Sequence, residues 1–419
     1  MVEKSILDNG IRVVTEKIAG VHSVSVGVWV ENGSRHEDAP QGGVSHFVEH
    51  MLFKGTQSRC ALDIARAIDS VGGVLNAFTG REYTCYHAKV LARKLPLAIE
   101  LLGDILLNSV FDIDEIEKER RVILQEISML QDTPEDLVHD LFNQVYWQGH
   151  PLGRSVVGTA ETVGRISREE MLAFLSGRYC GTNILVTAAG ELDHAQLVEL
   201  VAAAFGPLPA GTRLPLSPLP EYHRRFSVEE RDLEQIHICL GCRALPQNHP
   251  NRFASYLLNS LLGGSMSSRL FQRLREELGL AYSIYSYLNC HSDAGALVVY
   301  AATAPDDALQ AVDIILRELH RLRFEPVEEQ ELRAASDQLK GQLLLSLEST
   351  DNRMTRLAKN EIYLGRNPSL KEVLAGFDRV TVDDLQRLAE FTLRDDYLAL
   401  QLLGRYDGGP FSPIDLTLA

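Results

Sequence analysis

Apolar and polar positions along this chain fall into two matching series. Val24-Ser25-Val26-Gly27-Val28-Trp29-Val30 and Ile236-His237-Ile238-Cys239-Leu240-Gly241-Cys242 are dense in apolar and β-branched residues. Each reads as a strand near the start of its half. Leu91 to Asn108 and Ala304 to Leu319 read as amphipathic helices in corresponding places. Tyr146-Trp147-Gln148-Gly149-His150-Pro151 has its counterpart in Tyr363-Leu364-Gly365-Arg366-Asn367-Pro368, and each is followed by a helix, a short strand and an end. Between the series, Pro207 to Pro220 contains five prolines and forms a semi-rigid linker. The pattern predicts an α+β protein of two homologous domains, residues 1–206 and 231–419, joined by a linker over 207–230. Each domain is expected to be a mostly antiparallel sheet packed on one face by helices.

One helix of the first series carries chemistry. In the otherwise apolar run Gly43 to Phe53, His46 and His50 stand four residues apart with Glu49 beside the second. On a helix, positions i and i+4 lie one turn apart on one face, so both imidazoles can reach one tetrahedral metal ion. Glu49, at i+3, lies on the same side, where a carboxylate can take a proton from metal-activated water. The pattern is H-x-x-E-H. The plain alternative is a buried helix with two satisfied histidines and an acid. With 13 histidines in 419 residues, the five-residue pattern arises by chance in roughly one such chain in thirty, so a metal site requires a third ligand from a separate helix.

Asp114 to Leu130 reads as such a helix, with Asp114 and Glu117 at capping-box spacing. Glu126 has Val122, Ile123 and Leu130 as its helical neighbours, which puts it on the apolar stripe, where acids are seldom unpaired. Glu119 lies two turns earlier on the same face and can hydrogen-bond a ligand histidine. For both acids the alternative is a solvated, charge-rich helix face.

These residues resemble the pitrilysin and insulinase family of zinc peptidases, the two-domain type similar to the mitochondrial processing peptidase. In that family H-x-x-E-H is followed by a third ligand at the spacing that separates His50 from Glu126, 76 residues. A further family glutamate seven residues earlier matches Glu119. Gly72 to Thr84 is similar to the family strand that pairs with the substrate backbone, which implies substrate contacts at Asn76, Ala77, Phe78 and Thr79. Leu270 to Ser283 is similar to a segment whose arginine and tyrosine hold the substrate near the metal, here Arg275 and Tyr282. Residue types alone favour a surface arginine and a strand tyrosine there. The resemblance implies Zn2+ bound by His46, His50 and Glu126, with Glu49 as general base and Glu119 in support. It also implies that two such chains face each other, as a homodimer or as a heterodimer with an inactive homologue.

The second series tests the metal reading from within. Ser255, Leu258 and Asn259 align with His46, Glu49 and His50, and the helix from Lys340 to Leu347 has no acid where the first has Glu126. The ligands occur in one half only, which points to a chemical duty there; the competing class is a non-catalytic scaffold or partner subunit of the same fold.

Composition narrows the partners. A net charge of −16 argues against nucleic acid, whose phosphates require a basic patch, and allows basic peptides as substrates. No apolar run is long enough to span a bilayer, and the N-terminus lacks the apolar core of a signal peptide. The six cysteines show no disulfide spacing, which suits the cytoplasm. Cys239 and Cys242 sit three apart on a strand and point to opposite faces, so they read as buried structural thiols rather than a metal pair. Together these readings predict a cytoplasmic zinc metalloendopeptidase of short or unfolded peptides.

Overall fold

A computed structural model describes residues 2–213, 217–406 and 416–418; Leu214, Pro215 and Leu216 of the linker lie outside the described residues. The strands are β1 (Val2–Ile6), β2 (Arg12–Lys17), β3 (Ser23–Val30), β4 (Val74–Thr79), β5 (Thr84–Leu91), β6 (Ile184–Gly190), β7 (Arg225–Glu230), β8 (Ile236–Arg243), β9 (Ala281–Cys290), β10 (Gly295–Thr303) and β11 (Ala399–Gly404). The helices are α1 (Val44–Met51), α2 (Ala61–Asp69), α3 (Leu95–Asn108), α4 (Ile113–Gln131), α5 (Pro134–Tyr146), α6 (Ala160–Arg165), α7 (Arg168–Arg178), α8 (His194–Phe205), α9 (Arg252–Leu262), α10 (Ala308–Phe324), α11 (Glu329–Ser346), α12 (Thr350–Leu364), α13 (Leu370–Asp378) and α14 (Val382–Thr392).

Two compact units result. One comprises Met1–Met129, Arg154–Ser217 and Leu345–Asn367; the other comprises Leu130–Gly153, Pro218–Leu344 and Pro368–Ala419. The first holds a six-stranded sheet in the order β1-β2-β6-β3-β5-β4, in which only β2 and β6 run parallel. The second holds a five-stranded sheet in the order β7-β11-β8-β10-β9, in which only β7 and β11 run parallel. The second order repeats that of β2-β6-β3-β5-β4, strand for strand. The architecture is α+β, as the sequence predicts.

Helices cover both faces of each sheet rather than one. In β3 every residue but the first is buried, and such two-sided burial produces a continuous apolar run instead of alternation. One face of the first sheet packs on α1, α3 and α8, through Val44, Phe47, Val48, Leu102 and Val201 among others. On the other face Val14, Trp29, Cys85, Leu185 and Ala189 pack against Met354, Leu357 and Ala358 of α12. In the second unit the corresponding outer layer is α5, whose Leu137, Val138 and Phe142 meet Cys239, Val298 and Tyr300. Each unit therefore takes one helix from the far side of the 207–230 linker. Cys239 and Cys242 belong to different apolar clusters on the two faces of β8. All six cysteines are free, and burial pushes the Cys242 thiol up to about 12.

Candidate metal centre

Helix α1 separates its faces by local periodicity. Val44, Phe47, Val48 and Met51, at i, i+3, i+4 and i+7, are fully or almost fully buried, each contributing about 1.5–3 kcal/mol of apolar burial. His46, Glu49 and His50 are the partly exposed positions of the helix. Across from them runs α4, whose inward stripe is Ile116, Glu119 and Ile123, continued by the half-exposed Glu126. Val122 and Met129 face outward. The cap of α4 is Asp112 rather than Asp114: its Oδ1 accepts from the backbone N–H of Asp114 and Glu115. An aspartate one residue ahead of the helix can turn back on those free amides, whereas Asp114 already lies inside the first turn.

The structure brings His46, His50 and Glu126 together. His46 Nε2 and His50 Nε2 are 3.2 Å apart, and Glu126 Oε2 lies 3.7 Å from the first and 3.6 Å from the second. Bonds of about 2.0–2.1 Å at the tetrahedral angle put donor atoms roughly 3.4 Å apart, so two nitrogens and one oxygen converge at the separation a zinc ion demands. They form the one such metal-capable group among the described residues. Burial, with the neighbouring His50, pushes His46 down to about 4, which keeps it in the neutral form a ligand requires.

Supports stand behind this cluster. His50 Nδ1 donates to Glu119 Oε2 at 3.1 Å, and Lys54 Nζ reaches Glu119 Oε1 at 2.6 Å. Glu119 is buried, so of the two readings weighed for it the solvated one does not hold. Its contact with His50 assigns the ring proton to Nδ1 and leaves the Nε2 lone pair to the cluster. His46 Nδ1 is buried and has no hydrogen-bond partner among the described residues. Glu49 accepts a short hydrogen bond at Oε2 from the Thr79 hydroxyl. Burial raises the Glu49 carboxyl, and the Thr79 hydrogen bond opposes the rise.

Thr79 ends β4, the outermost strand of its sheet. Asn76, Ala77, Phe78 and Thr79 thus lie on a strand paired with β5 on one side only. Asn76 and Phe78 are exposed, whereas Ala77 and Thr79 are half-buried.

Arg275 and Tyr282 are neighbours in the second unit. Arg275 belongs to the π-helical segment Phe271–Glu277, donates through Nη1 to the Tyr282 carbonyl at 2.9 Å, and lies over the Tyr282 and Phe271 rings at 4.6 and 4.9 Å. Tyr282, on β9, is 78% exposed. In α9, at the positions aligned with His46 and His50, Ser255 is buried and Asn259 accepts from the Ser286 hydroxyl. Sequence reasoning did not find Lys54 or the link from Thr79 to Glu49; both are contacts between separate elements.

Comparison with known proteins shows the family. The family model described as insulinase (peptidase family M16) matches residues 12–160, and that described as the peptidase M16 inactive domain matches residues 165–339. An uncharacterized zinc protease of Mycobacterium tuberculosis is 42% identical over 404 residues, covering 95% of this chain and 92% of that protein. An uncharacterized zinc protease of Bacillus subtilis is 38% identical over 403 residues, covering 96% and 98%. A solved protease from Helicobacter pylori shares the fold, with a TM-score of 0.89 at 23% identity over 97% of this chain and 99% of that one.

Proposed function

Because the chain belongs to the insulinase family of peptidases, peptidase family M16, we propose that it is a zinc metalloendopeptidase acting on short or unfolded peptides. The observation that carries this reading is the convergence of His46, His50 and Glu126 beside a carboxylate, Glu49, on the same helix. Zinc held there would supply Lewis acidity and lower the pKa of water to about 7. Glu119 fixes the tautomer of His50. Glu49 takes the proton of the attacking water on its carboxylate and returns one to the leaving amine. Thr79 holds Oε2 of that carboxylate, which limits its rotation and leaves Oε1 for the proton.

An extended peptide adds to the open edge of β4 along Asn76 to Thr79 through main-chain hydrogen bonds. Such binding reads side chains loosely, so length and charge select the substrate, and a net charge of −16 favours basic peptides. Arg275 fixes the substrate carbonyl and the Tyr282 hydroxyl donates to the oxygen that gains charge. Two chains pair as a homodimer around one chamber, Arg275 and Tyr282 of one completing the metal site of the other. A heterodimer with a metal-free homologue is the variant of this arrangement. Free cysteines throughout fit a reducing cytoplasm; among the described residues no helix is long and apolar enough to cross a membrane. Against a scaffold role stands the retention of all three donors and the base. The test is Glu49→Gln: zinc content should hold while hydrolysis falls by at least about 10²-fold, and near-normal turnover rejects the reading.

A further inference from the structure

We propose that Glu37 is a positioning residue for the metal centre: from outside α1, its carboxylate supplies the N-terminal cap that this helix cannot supply itself. The inference rests on the peptidase reading above and adds to it a residue outside the H-x-x-E-H motif.

The first amides of any helix lack partners within it, and a side chain at the N-cap normally accepts from them. In α1 the N-cap is Gly43, which has no side chain. Its φ of +92 and the approach of a neighbouring segment require glycine: a Cβ there would stand 2.8 Å from the Val157 carbonyl oxygen and 3.0 Å from Gly158 Cα. A local cap is therefore excluded by packing. Glu37, six residues upstream and buried, fills the role with both oxygens. Its Oε2 accepts from Gly43 N and its Oε1 from Ser45 N, each at 2.8 Å. The Arg154 guanidinium donates to the backbone carbonyl of Glu37 itself, which fixes the carboxylate from behind.

The consequence for the metal follows from position. Ser45 precedes His46, so the pinned amide lies next to a donor. Helix α1 has only eight residues, about two turns, and a helix that short holds its orientation through its caps and contacts rather than by itself. A rotation of about 15° carries a ring nitrogen some 6 Å from the axis through roughly 1.5 Å, well past the ~0.5 Å within which a site must be held. Loss of the cap therefore loosens the donor set before it unfolds the unit, because α1 keeps its buried apolar face of Val44, Phe47, Val48 and Met51 and the contacts of Glu49 with Thr79 and of His50 with Glu119.

Glu37→Gln tests this, because the amide keeps the shape but turns an N–H toward one of the two backbone N–H groups. Glu37→Asp, which keeps the carboxyl but is too short to span both amides, is the second variant. Zinc affinity is read by competition with a chelator, kcat and KM on a fluorogenic peptide, and hydrogen exchange at Gly43 and Ser45. The expected result is zinc affinity and kcat each lower by 10-fold or more, KM within twofold of wild type, and lost protection at the two amides, in protein whose thermal midpoint moves by only a few degrees. Zinc affinity and kcat within twofold of wild type in either folded variant would overturn the proposal, as would a loss that merely tracks global unfolding in both. If wild-type protein neither binds zinc nor cleaves peptide, the functional reading fails instead. Exchange at Gly43 and Ser45 then still judges the cap: unchanged protection in Glu37→Gln overturns it, and lost protection retains it.

Discussion

Replacing Thr79 by valine removes one oxygen, keeps the side-chain shape and leaves the main chain of β4 intact. The hydroxyl is the one hydrogen-bond donor that reaches Glu49 among the described residues, and it is itself placed beside Thr84, whose hydroxyl donates to the Asn32 carbonyl. A hydrogen bond to a charged group contributes about 1.5–3 kcal/mol net. Glu49 is only partly screened by solvent, so the full range applies, and at about 1.4 kcal/mol per decade it corresponds to roughly a 10- to 100-fold loss. That loss should fall on kcat, because valine frees Glu49, the proposed base, to rotate without touching the main-chain groups proposed to bind peptide. Hydrolysis of a quenched fluorescent peptide, with zinc measured on the same preparation, separates the terms: kcat should drop while KM and zinc content hold. Thr79→Ser keeps the donor and should restore most of the rate. If Thr79→Val turns over within twofold of wild type, or if serine is as damaging as valine, the hydroxyl does not orient the base.

Glu126→Gln should lower zinc content as well as activity, and unchanged stoichiometry by elemental analysis would show that the third ligand is another group. Lys54→Met touches no ligand yet should weaken zinc about as much as Glu119→Gln, by roughly 10- to 100-fold, because both break the chain from Lys54 through Glu119 to His50; equal chelator competition in Lys54→Met and wild type would remove Lys54 from that chain. Burial acts to raise the Asp104 carboxyl, but Arg59, Asn108, Thr56 and Ser58 donate to it and hold it below the usual carboxylate range. The ionised group therefore stabilises the fold above its unfolded value of about 4, and this is lost as pH falls through the depressed folded value; Asp104→Asn should shrink the difference in thermal midpoint between pH 7 and pH 3, and an undiminished difference would refute the assignment. Glu49→Gln and Tyr282→Phe chains, each nearly inactive, should recover peptide cleavage after subunit exchange if the site is shared between two chains. No recovery despite demonstrated exchange would mean that each site is complete within one chain.

The donor helix was legible because its information is local: Val44, Phe47, Val48 and Met51 define the buried face, and His46, Glu49 and His50 occupy what remains. Glu126 required the period of a second helix together with a family spacing. What stayed hidden depends on contacts between elements. Glu119 was placed beside a ligand histidine by helical period and family spacing, but its charge-rich neighbours left a solvated face open, and it is the approach of α1 and Lys54 that explains its burial. Thr79 read as part of a substrate strand, and its hold on Glu49 emerges from the placement of β4 beside α1. The glycine at position 43 disguised the cap, since Glu37 stands outside every local capping spacing. The near-continuous apolar run of β3 signals burial on both faces, yet nothing near it in sequence names the helix that covers the second one.

That covering helix sets a condition on how the protein is made. Ser25 of β3 bonds Thr350 of α12 across 325 positions of chain, and Met354, Leu357 and Ala358 close the face formed by Trp29, Cys85 and Leu185. During synthesis the strands of the first unit leave the ribosome long before α12, so one side of their sheet waits as exposed apolar surface while most of the remaining chain is translated. The second unit closes later still, because its β11 comes at Ala399–Gly404 and pairs between β7 and β8. Such long-range closure slows folding and leaves sticky intermediates. A nascent chain halted at the linker carries both histidines and Glu126 on helices packed against a sheet whose other face is bare, so the first half of the chain lacks part of the core that it needs to stand alone.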